Sequence, residues 1–263
     1  MQRFAENLAR RVGTHIRGAA VSRTDAVTKA GAADWLTPLD GESEDHIRAA
    51  ITDRYPDHGI IGEERDPQGD VERAPIVWHI DPIDGTTNFL YGLGNVSVSI
   101  AALDQHGPVV GVVHDVYRDQ TISAARGDGL SVDGVRVAAS EGVSTVTGEV
   151  VLTEWDGGFD VWDGMEDFLR WLASRHGVGR IIGSCALALA HAGLGRAAAT
   201  ILPGRYSSWD VAAGALIAME GGCVLFDADG PAEGLPSDGL LVAHPQVADD
   251  VWTAWRRSVG SSR

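Results

Sequence analysis

The chain reads as an α+β half at 1–146 followed by an α/β half at 147–263. Three observations carry this reading. Apolar residues recur at helical spacing at the start, alternating apolar and polar runs with tight turns follow, and strand and helix patterns then take turns to the end. Phe4, Leu8, Val12 and Ile16 mark a helix over 1–17, and Ile47, Ala50, Ile51 and Tyr55 mark a second over 42–55. Between them, residues 33–38 read as extended, because Pro38 disfavours a helical residue before it. Strand-like runs follow at 59–62, 76–80, 96–100, 109–114, 117–124 and 135–138, with turns at 104–107 and 127–129. They predict an antiparallel sheet. In the second half, strands at 150–152, 181–182, 198–202, 224–226 and 240–243 alternate with helices at 161–175, 186–195, 209–220 and 245–257. No linker or internal repeat separates the halves, which predicts one compact unit.

Composition narrows the function. The 263 residues are 44% hydrophobic, enough for a buried core, and 33 Gly and 10 Pro follow no triplet period. The two cysteines, Cys185 and Cys223, lie in apolar stretches and read as reduced core thiols, which points to a cytoplasmic protein. No run approaches the roughly 20 apolar residues of a membrane span, and the first residues lack a signal-peptide core. A net charge of −16 repels nucleic-acid and lipid phosphates, so neither is expected as a partner. An anionic substrate then requires a local inversion of sign, for which metal cations held by carboxylates are suited.

The chemistry concentrates in Trp78-His79-Ile80-Asp81-Pro82-Ile83-Asp84-Gly85-Thr86-Thr87-Asn88-Phe89. An apolar strand delivers Asp81 to a proline-glycine turn, after which Thr86 begins a helical turn. Asp81, Asp84 and the Ile83 carbonyl offer the hard oxygens that Mg²⁺ prefers. Gly85 permits close backbone approach, and amides at a helix start favour an anion. The two aspartates also fit plain turn and cap roles. What shifts the balance is that Gly62-Glu63-Glu64 follows an apolar strand and Asp210 opens a helix in Trp209-Asp210-Val211-Ala212-Ala213-Gly214. Four or five carboxylates in one pocket repel one another unless a cation is present, so their pKa values rise without metal and fall when it binds.

These three segments resemble the signature motifs of the inositol monophosphatase family. Lys29 and the stretch from Asp34 to Asp40 resemble the family's upstream element, and Gly183-Ser184 resembles its Gly-Ser/Thr pair. The resemblance spans nearly the whole chain and implies a layered αβαβα sandwich with the site between the halves. It implies that Glu63, Asp81 and the Ile83 carbonyl hold one Mg²⁺ and that Asp81, Asp84 and Asp210 hold a second, with Asp40 supporting a third, weaker ion or its waters. Thr86, with Glu63 or Asp40, would orient the attacking water. The N–H groups of Gly85 and Thr86 would hold phosphate oxygens, and Gly183 and Ser184 would line the substrate pocket. The implied activity is Mg²⁺-dependent hydrolysis of a phosphate monoester, by a homodimer inhibited by Li⁺.

Substrate choice is less sharply written. Thr87 resembles the inositol and sugar-phosphatase branch, where nucleotide-bisphosphate and histidinol-phosphate branches more often carry Lys or Arg. Inositol 1-phosphate therefore leads a list with fructose 1,6-bisphosphate, other sugar phosphates and histidinol phosphate; a catalytically idle regulatory member is the alternative from another class. The stretch before Trp209 departs from the animal enzymes in lacking a carboxylate and offers Arg205, either a second anion contact or a solvated surface residue. Residues 154–164, rich in Trp, Asp and Gly, form either a specificity loop or a surface cap on the following helix. His79, His114 and His191 lie among apolar residues and read as core or rim histidines.

Overall fold

A computed structural model describes residues 1–19, 24, 26–28, 35–139, 143–154, 164–236 and 238–260. Lys29, Asp34 and most of the 154–164 segment lie outside the described residues. The chain runs α1 (Gln2–Gly18), β1 (Val27–Thr28), β2 (Trp35–Leu36), α2 (Pro38–Arg54), β3 (Gly59–Gly62), β4 (Val77–Asp84), α3 (Thr86–Tyr91), β5 (Ser97–Asp104), β6 (Gly107–Asp115), β7 (Gln120–Ala125), β8 (Gly129–Val132) and β9 (Val135–Arg136). It continues as β10 (Val150–Thr153), α4 (Met165–Ser174), β11 (Val178–Ile181), α5 (Cys185–Gly193), β12 (Ala199–Arg205), α6 (Ser208–Glu220), β13 (Val224–Phe226), β14 (Asp238–Ala243) and α7 (Pro245–Gly260).

Two sheets result. The first orders β3 to β9 consecutively, antiparallel except for the parallel β3–β4 pair. The second is mixed, in the order β11-β10-β12-β14-β13. Strands with both faces apolar fix the layering, because each face needs its own cover. On β5, Val98, Ile100 and Ala102 pack toward Leu8, Ile16, Ile47 and Ile51 of α1 and α2, while Ala101 turns to Ala186, Ala190 and Ala213 of α5 and α6. On β12, Leu202 joins Leu189 and Val211 of those same two helices, while Ala199 and Ile201 meet Phe168, Val251 and Trp255 of α4 and α7. The order is therefore α, β, α, β, α. The middle helices must fit between two sheets, which their small residues permit: a Cβ on Gly214 would stand 2.6 Å from the Leu189 Cβ.

Three local expectations are corrected. The second helix starts at Pro38 rather than 42, because Thr37 and Asp40 form a capping box across its first turn and proline suits that turn. The sheet of the first half is not purely antiparallel, since β3 joins β4 in parallel at its edge. The strand expected at 76–80 does not stop there but, as β4, runs through Pro82 to Asp84, with an irregularity between Asp81 and Asp84 against β5. Pro82 is tolerated because β3 pairs with β4 only as far as Ile80, so proline's missing N–H interrupts no ladder there.

Candidate active site

The irregular end of β4 positions the first three oxygens. Asp81 is buried, and its Oδ1 accepts the Ile83 N–H at 2.9 Å, folding the strand back on itself. Gly85 then adopts a left-handed conformation (φ 95°) and starts α3. A side chain could not replace its hydrogen, because a Cβ would lie 2.7 Å from the Asn95 carbonyl oxygen and 2.9 Å from that of Gly183. The tight turn brings the Thr86 hydroxyl within 3.0 Å of both the Ile83 carbonyl and the Asp40 Oδ1. Asp40 is itself oriented by the capping box, its Oδ2 accepting the Thr37 N–H at 2.9 Å.

Glu63 follows directly on β3, whose register pairs Gly62 with Ile80 and so sets Glu63 beside Asp81. A buried pair unforeseen from sequence fixes this turn: Glu44 receives the Arg48 Nε at 2.6 Å and the Glu64 N–H at 2.7 Å. Asp210 lies in the first turn of α6, where its Oδ2 caps the Ser207 N–H at 2.8 Å. His79 and Ser208, two residues before Asp81 and Asp210, join the same two elements through Nδ1 and Oγ at 2.5 Å.

Asp84 faces the second half. It accepts hydroxyl hydrogen bonds from Ser97 at 2.8 Å and from Ser184, and backbone N–H bonds from Cys185 and Ala186 at 3.1 Å each. A carboxylate from β4 thus caps α5, the favourable end of that helix for negative charge. The Gly183-Ser184 pair acts largely on this contact. Ser184 is buried and its hydroxyl goes to Asp84, while the Gly183 N–H donates to Glu154 at 2.7 Å. Asn88 closes the junction, its Nδ2 within 2.7–3.1 Å of the Asn95, Ile182 and Gly183 carbonyls. Sequence reasoning missed Asn88 and Glu154; their partners lie on loops distant in sequence, so only Asn88's place in the motif hinted at it.

Electrostatics bind the acidic residues into one group. Burial, then the charges of Glu63, Asp84 and Asp210, push the Asp81 carboxyl well above its usual range, and Asp81 also shares a hydrogen bond with Glu63. Burial raises Asp84 to about 6, against the opposing pull of Ser184, Ser97 and the two α5 amides. Asp40 is likewise raised by burial and by Glu63, against bonds from Thr37 and Thr86. Two carboxyls sharing a hydrogen bond must hold a proton between them, and a hard cation can take that proton's place. The donor set therefore fits Mg²⁺ in kind. Among the described residues, no three acidic, histidine or cysteine side chains already stand in coordinating positions. Asp84 and Asp210 are turned toward helix amides, so binding would require side-chain adjustment. The Asp84 Oδ1, which among the described residues accepts the Cys185 N–H alone, is the oxygen of that residue with capacity to spare.

Other sequence readings find their places. Cys185 and Cys223 are buried and reduced. His114 is buried and bonds Thr121 through Nδ1 at 3.0 Å, and Arg205 is exposed at the end of β12. No helix among the described residues is long and apolar enough to cross a membrane.

The model of the inositol monophosphatase family matches residues 1–260. A fructose-1,6-bisphosphatase/inositol-1-monophosphatase of Thermotoga maritima is 33% identical over 250 residues, covering 94% of this chain and 93% of the relative. Human inositol monophosphatase 2 is 35% identical over 235 residues (86% and 80%), and a Nus factor SuhB of Pseudomonas aeruginosa is 36% identical over 222 residues (83% and 81%). Among solved structures, a Thermotoga maritima IMPase superimposes with a TM-score of 0.87 at 31% identity, over 99% of both chains.

Proposed function

Because the chain belongs to the inositol monophosphatase family and is a phosphatase of phosphate monoesters, we propose that it hydrolyses a small polyol phosphate, inositol 1-phosphate first, to the alcohol and phosphate with Mg²⁺ as cofactor. The observation that carries this reading is the buried Asp81 among Glu63, Asp84 and Asp210, with the Thr86 hydroxyl set between Asp40 and the Ile83 carbonyl. Glu63, Asp81 and the Ile83 carbonyl would hold one ion and Asp81, Asp84 and Asp210 a second, with Asp40 next to a third. Bound there, the ions acidify water and neutralise phosphate charge.

The chain's own residues supply orientation and a proton path. The Thr86 hydroxyl has one proton and two acceptors at equal distance. When it donates to the Asp40 Oδ1, its oxygen is left to accept a hydrogen from the attacking water, so water, Thr86 and Asp40 form a relay. Burial keeps Asp40 basic enough to receive that proton. The N–H groups at Gly85 and Thr86 face the phosphate, Gly183 borders the substrate, and Ser184 acts through Asp84. A cluster so acidic repels a phosphate ester by itself, which is why the reaction needs cations and favours neutral to alkaline pH. The name of the Thermotoga maritima relative supports fructose 1,6-bisphosphate as the second reading. The name of the SuhB relatives supports testing a regulatory role beside catalysis. A cytoplasmic homodimer sensitive to Li⁺ completes the proposal.

The test is phosphate release from inositol 1-phosphate, fructose 1,6-bisphosphate, histidinol phosphate and 3′-phosphoadenosine 5′-phosphate, each with Mg²⁺ and with chelator. A Mg²⁺-dependent preference for inositol 1-phosphate is expected. Another favoured ester would overturn the substrate assignment, hydrolysis in chelator would overturn the metal assignment, and no hydrolysis of any ester would favour the regulatory reading.

A further inference from the structure

At the C-terminal end of α5 a cavity of about 440 Å³ is lined by Arg118, Gln120, Leu152, His191 and Arg196. None of these belongs to the carboxylate cluster. His191 lies seven residues along α5 from Ser184, a separation of about 10 Å at the helical rise, so the cavity is separate from the catalytic centre. Its composition is unusual for a chain carrying −16: two guanidinium groups share one opening, with one buried carboxylate, Asp115, beside them among the described residues.

The hydrogen bonds show how these groups are disposed. Arg118 spends its Nη1 on Asp115 at 2.7 Å. Arg196 has no carboxylate partner among the described residues. Its Nη2 donates to the Gln120 Oε1 at 2.8 Å, and its Nη1 lies 3.4 Å from the His191 Nδ1. A guanidinium cannot accept a hydrogen bond, so the imidazole accepts at Nδ1 and carries its proton on Nε2. His191 is therefore a neutral donor rather than a third charge, and burial and the two arginines hold it there, near 4. Among the described residues at the opening, two guanidinium groups stand against one carboxylate, with guanidinium and imidazole N–H donors and the apolar Leu152 as one wall. That is the donor set of a phosphoryl group, which planar guanidinium forks grip through paired oxygens. Both arginines are exposed at its mouth, so an anion reaches them directly from solvent.

We propose that this cavity is a second anion site, which binds the phosphoryl group of a small metabolite or free phosphate without hydrolysing it. Arg196, steered by Gln120, is its principal contact, and Arg118 its second.

The experiment is calorimetric titration of the full chain with inorganic phosphate in chelator, where the metal-free carboxylate cluster repels the anion. Saturable binding is expected, and Arg196→Gln should weaken it by at least about tenfold, the scale of one charge-assisted contact, without lowering the unfolding temperature. Gln120→Leu, which keeps both charges but releases Arg196, should weaken it several-fold and stands in should Arg196→Gln fail to fold. Adding Mg²⁺ should produce a second phosphate event that Arg196→Gln leaves unchanged. Titration with glycerol 2-phosphate in chelator separates the sources: tighter binding than inorganic phosphate assigns the site to an ester, equal or weaker binding to free phosphate. The inference is overturned if phosphate shows no saturable binding in chelator, or if both variants bind it as the parent chain does.

Discussion

Replacing Gly85 by alanine tests whether the turn after β4 is as tightly built as its contacts indicate. The change has two costs. At φ 95° an alanine is in the left-handed region, worth about 1–2 kcal/mol. Its Cβ would also meet the Asn95 and Gly183 carbonyl oxygens at 2.7 and 2.9 Å, closer than real Cβ contacts come. Neither oxygen can simply retreat, because Asn88 Nδ2 holds both, at 2.8 and 3.1 Å. Overpacking of this kind costs about 1–3 kcal/mol, so the total is about 2–5 kcal/mol. Gly92 provides the control. It shares the left-handed conformation (φ 67°) but has nothing within 4 Å of the point where a Cβ would stand, so Gly92→Ala should cost only the conformational part, about 1–2 kcal/mol. Urea unfolding of both variants in chelator measures the difference. If Gly85→Ala costs no more than Gly92→Ala, the close approach of the two halves at this turn is wrong.

The pH dependence of Asp84 offers a second test. A carboxyl raised from 3.8 to about 6 contributes stability that is present below its unfolded value and is lost as pH rises through about 6. In chelator, Asp84→Asn should therefore gain on the parent chain by about 1 kcal/mol between about pH 5 and 7.5, whatever its offset at either pH, a gain that includes the relief of Asp81, whose carboxyl the Asp84 charge helps to raise. His79 and His191, both held near 4, act with the opposite sign over this range and cancel in that difference; a difference independent of pH would remove the assignment. Thr86→Val should lower kcat by about 10²–10⁴-fold and, by removing the hydroxyl's bonds to Asp40 and the Ile83 carbonyl, cost about 1–3 kcal/mol in thermal unfolding; retained turnover would break the proposed relay. Asn88→Ala removes the clamp on three carbonyls and should cost about 1–3 kcal/mol, read by thermal unfolding, with a larger rise in KM than a distant surface substitution produces.

Local chemistry was legible wherever one segment contained its own explanation. Apolar spacing located the outer helices, an alanine-rich run and a Gly221-Gly222 stop located those of the middle layer, and the order of Asp81, Asp84, Gly85 and Thr86 marked the strand-to-helix turn, because a carboxylate-rich turn with a mandatory glycine is encoded by adjacent residues. The capping box of Thr37 and Asp40 was equally local, yet Pro38 read as extended, since proline serves both a helix's first turn and an extended run. What only the tertiary structure decided depends on partners far apart in the chain. The parallel β3–β4 register places Glu63 beside Asp81, Asp84 crosses to the amides of α5, and Asn88 reaches Ile182 and Gly183, each across a sequence gap that no spacing rule spans. Sequence determines which groups are available at each strand end and helix start. Burial then makes neighbours of them, and only burial converts ordinary aspartates into a mutually repelling cluster with a use for cations.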